Sequence, residues 1–147
     1  MKQDNYHASI TTGMRAAEAF KNINNVSAWW TKSLEGSSEK LNDVFTVRWG
    51  ETFVTFRIDE VVPGKKVVWF VTDCNIQGLN DKKEWKGTKI DWDISQKNGS
   101  TQIDFTHVGL VPGIECYDMC EKGWTFFITE SLAKLIDEGK GRPDRVS

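Results

Sequence analysis

Few of the side chains able to move a proton or hold a metal are placed to act together. His107 is one of only two histidines. It closes the run Ile103, Phe105, His107, whose side chains share one face of a strand. An imidazole on that face would orient a ligand's polar group or act as a base near neutral pH. The plainer alternative is a structural histidine, and each reading requires a hydrogen-bond partner. Cys116 and Cys120 stand at i and i+4 on one side of a helix. With His107 they make three of the four ligands of a zinc site. No fourth ligand is evident and cysteine is a common small core residue, so no metal is assigned. Without a cation nearby neither thiol is expected to be reactive.

The larger signal is aromatic. Seven Trp and eight Phe exceed what a small core requires. Such rings fill a core, line a pocket, or do both. The candidate lining is Trp49, Phe56, Trp69, Trp92, Phe105, Trp124 and Phe127, with His107 and Cys120 beside them. Arg48 and Arg57 alternate away from the apolar faces of their strands and are expected at the surface, as are Glu60, Asp91 and Asp93. No phosphate-binding loop, nucleophile elbow or acid–base pair is present, so no catalytic set and no cofactor is assigned.

These rings must be held by strands and one helix. Tyr6 to Thr12 reads as an opening strand, and Thr12 as the N-cap of a short helix from Met14. Val26 to Thr31 reads as a second helical turn. Val44–Trp49 and Thr52–Val62 alternate with period two about a Gly50-Glu51 turn. Pro63-Gly64 then leads into the apolar run from Lys66 to Thr72. Cys74 to Gly87 is polar and reads as a long connection, of the kind that is often functional. Thr88–Ile94 and Thr101–His107 alternate about Asn98-Gly99, a strong hairpin signal. From Glu115 to Glu138 the period becomes helical. Cys116, Cys120, Trp124, Phe127, Ser131 and Leu135 form the stripe, which Met119, Phe126, Leu132 and Ile136 widen. Gly139 stops it. The expected architecture is α+β: a curved antiparallel sheet around a long C-terminal helix, with two short helices after the first strand.

The chain has 147 residues and a net charge of −2. That length predicts one domain, 1–147, with its core at about 7–142. The charge offers no footprint for nucleic acid. No stretch has the roughly 20 apolar residues that cross a bilayer. Three cysteines, an odd number, argue against a disulfide framework. With the polar start Met1-Lys2-Gln3-Asp4, they predict a reducing, cytoplasmic setting.

Five stretches in order carry a resemblance across nearly the whole chain. They are Trp29-Trp30, Ile58-Asp59-Glu60-Val61-Val62-Pro63-Gly64-Lys65-Lys66-Val67-Val68-Trp69, Thr106-His107-Val108-Gly109-Leu110, Gly123-Trp124-Thr125-Phe126-Phe127 and Gly139-Lys140-Gly141. By these the chain resembles the START-like (SRPBCC, Bet v-like) helix-grip superfamily. Within it, the likeness is to the group of activators of heat-shock protein 90 ATPase. The resemblance implies a sheet gripping the long helix, and a hydrophobic cavity that elsewhere in the superfamily holds lipids, sterols, polyketides or plant hormones. It carries no catalytic residue to this chain. The chaperone activators have a further, larger domain for which 147 residues leave no room, which argues against a chaperone partner.

Three functions are thus expected in order. The first is binding of a hydrophobic or amphipathic small molecule, lipid-like or aromatic, between sheet and helix. The second is a cyclase or hydrolase acting on polyketide-like substrates through His107. The third is a chaperone-activator-like interaction module. The thin supply of inward titratable groups favours binding over turnover.

Overall fold

A computed structural model describes residues 5–143, so the polar start Met1–Asp4 lies outside the described residues. Seven antiparallel strands form one sheet in the order β1-β7-β6-β5-β4-β3-β2. They are β1 (Tyr6–Thr12), β2 (Leu34–Gly36), β3 (Val44–Trp49), β4 (Thr52–Val62), β5 (Lys66–Asn75), β6 (Lys89–Lys97) and β7 (Ser100–Val108). Their turns follow from the sequence. Asn98 and Gly99 both have positive φ, 50° and 82°, the backbone that a two-residue hairpin needs to match strand twist. Register shifts at Thr55/Phe56 and Ile58/Glu60 in the β4–β5 ladder are the irregularities that bend a sheet.

Alternation sends one set of side chains inward. Phe45, Val47, Phe56, Ile58, Trp69, Ile90, Trp92, Ile103 and Phe105 are fully buried. The other face carries charge. Lys66 Nζ lies 2.9 Å from both Asp91 and Asp93. Arg48 pairs with Glu35 and Arg57 with Asp59, at the surface as expected.

Two short helices, α1 (Ala16–Asn24) and α2 (Val26–Trp29), follow β1. The long C-terminal helix runs as α3 (Tyr117–Phe126), a π-helical stretch over Phe127–Leu132, and α4 (Ala133–Glu138). Its stripe from Cys116 to Leu135 is buried throughout. It ends at Gly139, whose left-handed φ of 80° lets its N–H donate to the Leu135 carbonyl, a standard stop.

Three expectations need correction, and one strand is not legible in the sequence. Thr12 does not cap α1, which starts at Ala16 with Arg15 at the N-cap. Its hydroxyl instead donates to Asp137 and accepts the Met14 N–H, tying β1 to α4. β2, three residues long, has too little alternation to show in the sequence. β5 extends to Asn75 because its last residues still pair with Phe53 and Val54 of β4. Met119 is 54% exposed, at the edge of the helix stripe rather than within it.

Candidate functional site

The sheet bends away from the N-terminal half of the C-terminal helix and leaves a cavity of about 240 Å³. Five rings make most of its wall, in an unbroken arc. Phe127 meets Trp49 with centroids 6.3 Å apart, and Trp49 meets Trp30 at 5.2 Å. Trp30 meets Trp124 at 4.7 Å, and Trp124 stacks almost parallel on Trp85 at 5.8 Å. Val54, Ile76, Met119, Cys120 and Gly123 fill the gaps, and Thr52 and Gln77 are the polar members. Thr52 is already engaged, since its hydroxyl accepts the Gln77 N–H at 3.0 Å. No charged side chain lines the cavity.

Each ring is placed by a different element. Trp49 ends β3, and Trp30 is the C-cap of α2, its neighbour Trp29 turned into the core. Trp124 and Phe127 are successive positions of the helix stripe. Trp85 comes from the polar connection between β5 and β6 and is nevertheless buried. Among the described residues its Nε1 finds no acceptor, as is also true of Trp69 and Trp92. Burial of an unpaired donor costs about 1–3 kcal/mol.

Of the residues expected at the lining, Trp49, Cys120, Trp124 and Phe127 are on the wall. Phe56, Trp69, Trp92, Phe105 and His107 are not. They form the next layer, packed ring to ring. Trp69 contacts Phe56 at 5.5 Å and Trp92 at 5.6 Å, and Phe105 lies 4.5 Å from Trp124. These strand positions face inward as read, but the inside of the sheet is wider than the cavity. Trp30 and Trp85 stand on the wall although the strand and helix-stripe patterns do not point to them. A tryptophan stranded in an otherwise polar connection was the signal for Trp85.

His107 is fully buried and both its ring nitrogens are occupied. Trp124 Nε1, which can only donate, points at Nδ1 from 3.1 Å. Nδ1 is therefore the acceptor and the proton sits on Nε2, which donates to Thr88 Oγ1 at 2.9 Å. Thr88 in turn donates to the Trp85 carbonyl at 2.6 Å. Burial pushes the imidazole down to about 3. The ring is a neutral link that orients Trp124 and Trp85, with no nitrogen facing the cavity.

Two glutamates that reach past each other tie the β5–β6 connection to the start of α3. Glu84, in the connection, accepts the N–H groups of Glu115 at 3.2 Å and Cys116 at 2.8 Å. Glu115, before α3, accepts those of Asn80 and Asp81 at 2.8 Å and 3.2 Å. Beside this clasp Cys116 and Cys120 are joined as a disulfide, and Cys74 is free. The odd count obscured that pair, because one turn of helix brings the two Cα atoms to 5.6 Å, within the range a disulfide spans. Among the described residues no three of His, Cys, Asp and Glu gather into a metal site. Among the same residues no helix is long and apolar enough to cross a membrane.

Curved sheet and gripped helix make this an α+β helix-grip fold. No protein-family model matches the chain, and no curated protein matches its sequence. Solved structures do match. The Aha1 dimer from Colwellia psychrerythraea superposes with a TM-score of 0.76 at 19% identity, covering 93% of this chain and 98% of that one. DynU16, from the dynemicin biosynthetic locus, gives 0.71 at 16% identity, over 97% of this chain and 51% of its own. CalU16 from Micromonospora echinospora gives 0.67 at 12% identity, over 94% and 76%. At these identities the likeness is one of fold.

Proposed function

We propose that the protein binds a compact, uncharged, largely apolar small molecule in the cavity beneath the tryptophan arc. The observation that carries this is the wall itself: five aromatic rings facing a space of about 240 Å³ with no charge among them. Dense packing would close such a space, since lining atoms without neighbours lose their dispersion contacts. A space of about 240 Å³ lies below the range usual for drug-sized ligands, which favours a small ligand over a sterol or a long acyl chain. Burial of apolar surface at about 25 cal/mol per Å² would supply the affinity.

A reaction based on His107 gains no support from the geometry, because both ring nitrogens are used and neither meets the cavity. The likeness to the Aha1 structure brings no chaperone partner with it.

The test is a thermal-shift screen with one- and two-ring aromatic compounds, sterols and fatty acids, read together with tryptophan fluorescence. A ligand at 100 times its Kd is expected to raise Tm by about 5–10 °C and to change the emission of the ring arc. Trp30→Ala and Trp49→Ala should each abolish that shift. If no compound in the panel changes either signal at millimolar concentration, the binding reading fails.

A further inference from the structure

We propose that Cys116 and Cys120 form a reversible dithiol–disulfide couple that exchanges with small thiols entering through the cavity. The two sulfurs are paired, but they are not equally reachable. Cys116 is 0% exposed and lies beneath the glutamate clasp, its N–H held by Glu84 at 2.8 Å. Cys120 is 9% exposed and is part of the cavity wall. Gly123 lines the same stretch of wall, and even a Cβ there would meet nothing within 4 Å. A cross-link stabilises a fold more as the loop it closes grows. This one closes four residues of a single helix. Its position on a ligand-sized cavity is therefore the feature to be explained.

Unequal access fixes the order of exchange. A small thiolate, RS⁻, attacks Sγ of Cys120. The Cys116–Cys120 bond breaks, and its electron pair leaves on Sγ of Cys116, which takes up a proton. A second RS⁻ attacks the R sulfur of the mixed disulfide and releases RSSR, and the Cys120 thiolate is protonated. The sum is protein disulfide plus two RSH giving protein dithiol plus RSSR, and an excess of RSSR drives it backwards. No lysine or arginine lines the cavity to activate a protein thiol. The forward step needs none, because the attacking thiolate comes from the small molecule. The exchange requires no resident ligand in the cavity.

The experiment uses cysteamine and cystamine, which are small enough to enter. Wild-type protein is equilibrated across stepped ratios of the two, quenched with acid, and its free thiols are counted by maleimide labelling and mass spectrometry. Two thiols are expected to appear and disappear together, reversibly. Cys74, buried and with its thiol pushed up by burial, serves as the constant reference. Peptide mapping after brief exposure to limiting cysteamine should place the mixed disulfide on Cys120. Under cystamine, Cys116→Ser should gain an adduct at Cys120 at least tenfold faster than Cys120→Ser gains one at Cys116. A thiol count that ignores the ratio overturns the proposal. So does a mixed disulfide found on Cys116 as readily as on Cys120. The wild-type measurements decide the matter even if a variant fails to fold.

Discussion

His107 is held by two neighbours that between them use both of its nitrogens. Trp124 donates to Nδ1, and Thr88 takes the hydrogen on Nε2. Protonation would force two donors against each other inside a ring-packed interior. That fixes the sign of a pH effect. The folded-state value is depressed to about 3 from the ordinary 6.5, so the unfolded chain binds the proton first. The stability contribution is whole above pH 6.5 and is lost as pH falls toward 3. From pH 7 to pH 5 the loss from this one group is about 2 kcal/mol. Gln at position 107 can still accept from Trp124 and donate to Thr88, but it cannot titrate. Urea unfolding of His107→Gln should therefore vary less between pH 7 and pH 5 than wild type, by about that amount. Parallel curves for the two proteins would show that the imidazole is not the buried neutral group described here.

Among the elements, the C-terminal helix shows most clearly where periodicity informs and where it stops. The stripe from Cys116 to Leu135 could be read because burial follows helical spacing. The strands could be read because a sheet with one charged face must alternate. The π-helical stretch at Phe127–Leu132 could not, because it leaves no mark in the spacing of apolar residues. There Ser131 donates its hydroxyl to the Trp29 carbonyl at 2.6 Å and accepts the Arg142 N–H at 2.7 Å. One side chain thus joins the helix to α2 and to the segment after α4. Gly141 packs in the same crossing, where an added Cβ would run into the Ala28 carbonyl. Ser131→Ala leaves a buried carbonyl and a part-buried N–H without their partner. The expected cost is about 1–3 kcal/mol by chemical denaturation, accompanied by faster hydrogen exchange at Arg142. A change of a few tenths of a kcal/mol would mean that the helix, α2 and the terminal segment are held by packing alone.

Over the whole molecule, the sequence revealed that rings face inward but not which of them leave space. That depends on how far β4 and β5 bend and on where a polar connection lays one buried tryptophan. The same connection closes one side of the cavity. Residues 76–88 contribute Ile76, Gln77 and Trp85 to the wall, and they are tied to the start of α3 by the Glu84 and Glu115 carboxylates. Each carboxylate holds backbone N–H groups of the other's segment, so loss of either is expected to loosen both sides. These are charge-assisted contacts at an exposed rim, where screening trims their worth without removing it. Glu115→Gln should speed hydrogen exchange at Asn80 and Asp81 by about 5-fold or more, the factor that follows from losing one net hydrogen bond. Glu84→Gln should do the same at Glu115 and Cys116. Amides in the β6–β7 ladder should keep their wild-type rates in both variants, since global unfolding would raise all rates together. Unchanged exchange at Asn80 and Asp81 would mean that the connection is held by Trp85 stacked on Trp124, and that the glutamates only decorate the rim.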